Sequence, residues 1–112
     1  MALDVEHLLQ SAREATGLGD FGDPTFRAGL EALVDSIERE ARLNAIGVEA
    51  HRWQITGYLA ERLRIEDWYR RHPEIEEQKI GGPIFVTGLP RTGTTALSHL
   101  LATDPDTASL LM

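Results

Sequence analysis

One short segment constrains the fold of this chain more than any other. Residues 83–95 read Pro-Ile-Phe-Val-Thr-Gly-Leu-Pro-Arg-Thr-Gly-Thr-Thr, in which an apolar run leads into a glycine-bounded loop. Residues 84–86 predict a buried strand, and Thr94 opens an apolar helix that continues to Ala102. A strand, a glycine-rich turn and a helix N-terminus direct backbone amides and the positive end of the helix dipole toward one point. The segment therefore predicts an anion site, with a phosphate as its ligand.

The residues of the loop distinguish it from the loop of nucleoside triphosphatases. Gly88, Gly93 and Thr95 match the Walker A pattern G-x-x-x-x-G-K-(S/T). The lysine position of that pattern, however, holds Thr94, which argues against hydrolysis of ATP or GTP because that lysine reaches the β- and γ-phosphates. The cation of this loop is Arg91, whose planar guanidinium suits a pair of phosphate or sulfonate oxygens. We therefore expect a short anion rather than a triphosphate chain.

The loop resembles that of a known enzyme family. Residues 90–95, Pro-Arg-Thr-Gly-Thr-Thr, are similar to the 5′-phosphosulfate-binding loop of sulfotransferases, which often reads P-(K/R)-(S/T)-G-T-T. The wider run, which continues through the helix to Asp-Pro-Asp at residues 104–106, is similar to bacterial sulfotransferase-like proteins and to the tyrosylprotein branch. The resemblance covers residues 83–112. It implies a transferase that takes sulfonate from 3′-phosphoadenosine 5′-phosphosulfate (PAPS), without a metal, and passes it to a hydroxyl acceptor.

The same resemblance implies a role for each residue of the loop. The residues that it places at the nucleotide are Pro90, Arg91, Thr92, Gly93, Thr94 and Thr95. The amides of residues 91–95 would hold the 5′-phosphate, and Gly93 would let the backbone approach it closely. Thr94 and Thr95 would add hydroxyl donors. Arg91 would be the catalytic residue, since its charge would stabilise the negative charge that builds on the leaving phosphate.

The residues before the loop predict helices. Apolar residues recur at helical spacing after Asp4, after the Asp23-Pro24 pair and again over residues 48–71. We therefore expect an N-terminal helical region over residues 1–79. Over residues 80–112 we expect a strand-loop-helix unit of the P-loop type, which gives the chain an α/β fold class.

A single strand sets the interpretation of the whole chain. One parallel-type strand leaves its ladder groups without partners, and a crossover helix normally leads to a second strand. We therefore interpret residues 80–112 as the truncated start of a larger parallel-sheet domain; alternatively, the strand pairs with another chain. In the family, the residues that contact the 3′-phosphate lie well downstream of this loop. The catalytic base is also expected downstream. A chain of this extent is accordingly expected to be inactive by itself.

Composition narrows the partners and the location. The formal net charge of −7 argues against nucleic acid and anionic membrane surfaces as partners. The sequence has no cysteine, so it predicts neither disulfides nor thiolate metal sites, and it has no apolar run long enough to span a bilayer. The N-terminus lacks the cationic region of a secretory signal, and we expect a cytoplasmic protein. Aromatic residues of the third helical segment are candidates for a dimer face, so a homo-oligomer is a further alternative.

Two other functions remain open at this point. The first is a P-loop phosphotransferase in which a cation from elsewhere replaces the missing lysine. The second is a noncatalytic helical interaction module in which the glycine loop only forms a turn. A measurement of which nucleotide the protein binds would distinguish these two functions from that of a sulfotransferase.

Overall fold

The computed structural model describes residues 2–109 of the chain. The described residues form four α-helices, namely α1 (Val5–Thr16), α2 (Phe26–Glu40), α3 (Ala45–Arg71) and α4 (Thr94–Leu101), and one 3₁₀ turn (Pro73–Ile75). The chain divides into two compact units, Met1–Gln78 and Lys79–Met112. The first unit, called the helical unit below, contains α1, α2 and α3. The second, called the loop unit, contains the glycine-bounded loop and α4.

The predicted α/β class is wrong for the part of the chain that the structure describes. Residues 2–109 contain helices and turns but no strand, and residues 83–88 form no regular structure. Ile84 is 65% exposed and Phe85 is 81% exposed, so the expected buried strand is absent. The physical reason is that an apolar, β-prone segment becomes a strand only when a neighbouring strand accepts its backbone hydrogen bonds. Residues 80–109 therefore present a loop and a helix rather than the start of a parallel sheet.

Helix α1 begins and ends where its sequence predicts. The side chain of Asp4 accepts a hydrogen bond from the amide of His7 at 2.8 Å, which caps the first turn. At the other end, Gly17 adopts a left-handed conformation with φ of 69°, and its amide donates to the carbonyl of Arg13 at 2.8 Å. Both ends are thus fixed by local hydrogen bonds.

Helix α3 starts earlier than its apolar pattern predicts. Asn44 is the N-cap, and its side chain accepts from the amide of Gly47 at 2.8 Å, so Gly47 lies in the first turn instead of interrupting the helix. The helix ends at Arg71, directly before the His72-Pro73 pair, as the sequence predicts. Helix α3 is 27 residues long, and among the described helices it packs mainly against α1.

A small apolar core holds the helical unit together. The side chains of one cluster, with members from α1, α2 and α3, are buried, and the most completely buried of them are Leu3, Leu8, Leu9, Val34 and Leu63. Burial of each such side chain contributes about 1.5–3 kcal/mol relative to its exposure. All of the core residues described belong to the helical unit.

Hydrogen bonds of two helix side chains hold two irregular segments of the helical unit in place. Arg62 on α3 donates through Nε to the carbonyl of Phe21 at 2.7 Å and through Nη2 to the carbonyl of Asp23 at 3.1 Å, which fixes the connector between α1 and α2. Near the N-terminus, the amide of Leu3 donates to Oε1 of Glu38 at 2.7 Å. Hydrogen bonds from the amides of Leu3 and Ala2 hold the pKa of Glu38 below its usual value. None of the described helices is both long and apolar enough to cross a membrane.

Candidate functional site

The loop before α4 turns through two residues in left-handed conformations. Gly93 is the N-cap of α4 with φ of 92°, and Arg91 has φ of 63°. Such values are uncommon for a residue other than glycine, so the backbone at Arg91 is strained and that at Gly93 favours glycine. The helix begins directly after this turn, where the amide of Leu97 donates to the carbonyl of Gly93 at 3.0 Å. The first turn of α4 thus opens at the loop.

Backbone amides at this helix start are available to a ligand. Within residues 2–109, the amides of Gly93, Thr94, Thr95 and Ala96 donate to no backbone or side-chain acceptor, and no side chain caps the helix. The first amides of any helix lack internal partners and carry the positive end of its dipole. They point to a negatively charged acceptor at this end of α4.

These residues line an open concavity of about 330 Å³. Its lining consists of Arg91, Gly93, Thr94, Thr95 and Ala96, and none of these residues carries a carboxylate. The structure therefore brings together four of the six predicted site residues. Pro90 and Thr92 are not among the lining residues. Ala96 is a lining residue that the motif did not assign, although its place in the first helical turn could have indicated it, because the third amide of a helix also lacks an internal acceptor.

Arg91 carries the positive charge of the concavity. Its side chain is exposed, and it forms no ion pair with another described residue. Most arginines of the helical unit, in contrast, are paired with carboxylates; they are Arg27, Arg39, Arg52, Arg62, Arg64, Arg70 and Arg71. Among the described residues, Arg91 is therefore a cation whose donors remain available to an anion.

Gly88 lets the loop close on itself. A Cβ atom at this position would lie 2.8 Å from Oγ1 of Thr92 and 3.0 Å from Cγ2 of Thr94, so these side chains would have to shift to admit a larger residue. Thr92 in turn donates its hydroxyl to the carbonyl of Leu89 at 2.6 Å. The first glycine of the motif thus serves packing inside the loop, whereas Gly93 serves the left-handed turn.

A second, much smaller cavity lies in the helical unit. It measures about 30 Å³, between the connector that follows α1 and the side of α3 that carries Leu63 and Asp67. A space of this size holds about one water molecule and no nucleotide. Within residues 2–109, no group of three or more metal-ligating side chains comes together.

Comparison with known proteins identifies the loop and extends the likeness beyond it. Residues 83–111 match the sequence model of the Sulfotransferase family. The chain is also similar to the solved structure of sulfotransferase STF1 from Mycobacterium tuberculosis, with 40% sequence identity and a TM-score of 0.88. The resemblance to the sulfotransferase family is confirmed. A comparison with the curated proteins gave no match.

The two matches differ in how much of the chain they cover. The family match includes the loop and all of α4, so it contains every residue that lines the concavity. The likeness to the mycobacterial sulfotransferase covers 93% of this chain, and therefore includes helices that the sequence motif did not link to the family. The chain spans 29% of the length of that sulfotransferase.

Proposed function

We propose that this chain binds the 5′-phosphosulfate end of PAPS and that the protein acts as a sulfotransferase on a hydroxyl acceptor. The observation that carries the proposal is the set of unpaired amides at the start of α4, beside Arg91, within the segment that matches the sulfotransferase family. The polar side chains of the lining residues are the guanidinium of Arg91 and the hydroxyls of Thr94 and Thr95, and none is an acid. This donor set fits the anionic end of PAPS.

Each lining residue has a role under this proposal. The amides of residues 93–96 hold the oxygens of the 5′-phosphate, and the hydroxyls of Thr94 and Thr95 donate to the same oxygens. Arg91 stabilises the charge that develops on the phosphate as the bond to sulfur breaks; loss of one such donor typically costs about 2.7–4 kcal/mol of transition-state stabilisation. Pro90 restricts the backbone before Arg91 because its own φ is fixed. PAPS, when bound, supplies the sulfonate group.

The reaction defines what the partners must be. The acceptor contributes a hydroxyl oxygen that bonds to sulfur, loses its proton to solvent or to a base, and leaves as a sulfate ester together with adenosine 3′,5′-bisphosphate. The partners in this proposal are thus a nucleotide donor and a small or protein-borne hydroxyl, with no nucleic acid or membrane required. The cysteine-free composition is compatible with a cytoplasmic location.

Calorimetry with adenosine 3′,5′-bisphosphate tests the proposal. Arg91→Ala removes one charged hydrogen-bond donor, worth about 1.5–3 kcal/mol. We therefore expect binding about 10- to 150-fold weaker than that of the unmodified chain. Arg42→Ala is a matched control, because Arg42 is also exposed and also left-handed, with φ of 47°, but belongs to the helical unit. That variant should bind like the unmodified chain.

The same titrations distinguish the other functions. Tight binding of Mg-ATP without binding of the bisphosphate would contradict the proposal and favour a P-loop phosphotransferase. In a protein that also contains the downstream contacts to the 3′-phosphate that the resemblance implies, binding of neither nucleotide would favour a noncatalytic helical module. Release of the bisphosphate from PAPS only when a hydroxyl compound is present would demonstrate sulfonate transfer itself.

A further inference from the structure

Thr92 differs from the other threonines of the loop in its hydrogen bonding. Its hydroxyl donates to the carbonyl of Leu89 at 2.6 Å, three residues earlier in the chain. Among the described residues, the hydroxyls of Thr94 and Thr95 donate to no internal acceptor. A hydroxyl has one proton to donate, and the oxygens of an ionised phosphosulfate only accept. While its bond to Leu89 persists, Thr92 therefore cannot donate to the anion.

The side chain of Thr92 also lies against its own turn and not in the concavity. Its Oγ1 lies directly beside Gly88, where a Cβ atom would be only 2.8 Å away, and Thr92 does not line the concavity. It stands between Arg91 and Gly93, both of which have positive φ. A short turn with two left-handed residues has few other contacts to hold it, since this stretch is exposed. The bond from Thr92 closes the turn across the residue with the strained backbone.

We propose that Thr92 is a positioning residue, which locks the turn so that the amides of residues 93–96 are held ready for the anion. The contacts to the anion then belong to those amides, Arg91, Thr94 and Thr95. The identity of the ligand in this inference rests on the proposed function. The hydrogen bond from Thr92 that locks the turn, in contrast, is present in the chain without any ligand. The two parts can accordingly be tested separately.

Three variants isolate the hydroxyl of Thr92. Thr92→Val removes the hydroxyl and keeps the branched shape, and Thr92→Ser keeps the hydroxyl and removes the methyl group. Thr103→Val is the matched control, because Thr103 is exposed and its hydroxyl donates to the carbonyl of Leu100 at the same 2.6 Å and the same spacing of three residues. This control removes an identical bond at the other end of α4.

Nitrogen-15 relaxation of the chain without ligand tests the lock. We expect order parameters of residues 93–96 near ~0.85 in the unmodified chain and below ~0.6 in Thr92→Val. Thr92→Ser and Thr103→Val should keep the higher values. Calorimetry with adenosine 3′,5′-bisphosphate should then show about tenfold weaker binding for Thr92→Val, the equivalent of one hydrogen bond, and rescue by Thr92→Ser.

Several results would overturn the inference. Unchanged order parameters in Thr92→Val with weaker binding would make Thr92 a direct contact to the anion. Equal losses in Thr92→Val and Thr103→Val would indicate a general effect on α4, and low order parameters in the unmodified chain would mean that no lock exists. If the unmodified chain does not bind the bisphosphate, the proposed function fails, and the relaxation measurements still decide whether Thr92 holds the turn.

Discussion

Truncation of Leu63 tests whether the helical unit has a stable core of its own. The side chain of Leu63 is 0% exposed and packs on α3 against residues of α1 such as Leu8 and Leu9. Leu→Ala substitutions at such sites cost about 2.7–5 kcal/mol, because transfer free energy is lost and a cavity remains. We take about 3 kcal/mol for Leu63→Ala, at the lower end of that range, because a small unit can partly collapse around the gap.

The expected shift in melting temperature is large. In a domain of 60–100 residues, each kcal/mol lowers the midpoint by about 4–8 °C, so Leu63→Ala should lower it by about 12–24 °C. Leu100→Ala is the matched control, because Leu100 lies on α4 and is 68% exposed. Exposed substitutions of this kind usually change stability by less than about 0.5 kcal/mol.

Tryptophan fluorescence during thermal or urea unfolding is the assay. The chain has two tryptophans, Trp53 and Trp68, and both lie on α3, so the signal reports on the helical unit. A loss below about 1 kcal/mol for Leu63→Ala, or an equal loss for Leu100→Ala, would refute the reasoning. Either result would mean that the buried leucines do not form the core that stabilises this unit.

Three further predictions follow from single contacts. Gly93→Ala places a side chain at φ of 92°, which costs about 1–3 kcal/mol, and should therefore weaken bisphosphate binding in calorimetry. The pKa of Glu38 is lowered in the folded chain by hydrogen bonds from Leu3 and Ala2, so its stabilising effect is present above its usual pKa and is lost as the pH falls through the folded pKa. Glu38→Gln should thus remove part of the acid sensitivity of unfolding. Asp4→Ala removes a helix cap and should lower the free energy of unfolding by about 1 kcal/mol in urea titrations.

Each of these predictions has a contradicting result, and those for Gly93 and Asp4 also have a control variant. Gly19→Ala matches Gly93→Ala, since Gly19 has no positive φ and open space around it, and equal binding by both variants would contradict the argument from backbone strain. An unchanged pH profile in Glu38→Gln would show that the carboxylate is not linked to folding. For the cap, Asp4→Asn should retain most of the stability, and a loss equal to that of Asp4→Ala would argue against the hydrogen bond to His7.

The loop shows how far sequence patterns reach in this protein. Its glycine spacing and its hydroxyl-rich helix start predicted an anion site, and the structure places Arg91, Gly93, Thr94 and Thr95 around one concavity. The sequence did not reveal that Thr92 bonds to its own turn, because a motif names residue types and carries no information about where a hydroxyl donates. The same motif gave no reason to link the helical unit to the family, although the likeness to the mycobacterial sulfotransferase extends over it.

Helix α3 shows what a pattern of apolar residues leaves open. Its apolar side chains lie on both sides, so periodicity alone does not say which side is covered. In the structure Leu59 and Leu63 are buried, whereas Trp53 is 81% exposed and Trp68 is 52% exposed. The choice depends on where α1 and α2 pack, which is a property of the assembled unit.

The sequence by itself determined both ends of α1, the end of α3 and the character of the loop. Asp4 and Gly17 at α1, and the His72-Pro73 pair after α3, act through bonds between residues a few positions apart, so their effect can be derived from the sequence. Only the tertiary structure decided the fate of residues 84–86. A helix satisfies its own backbone, but a strand needs acceptors and donors from a distant segment, and none of the described residues supplies them.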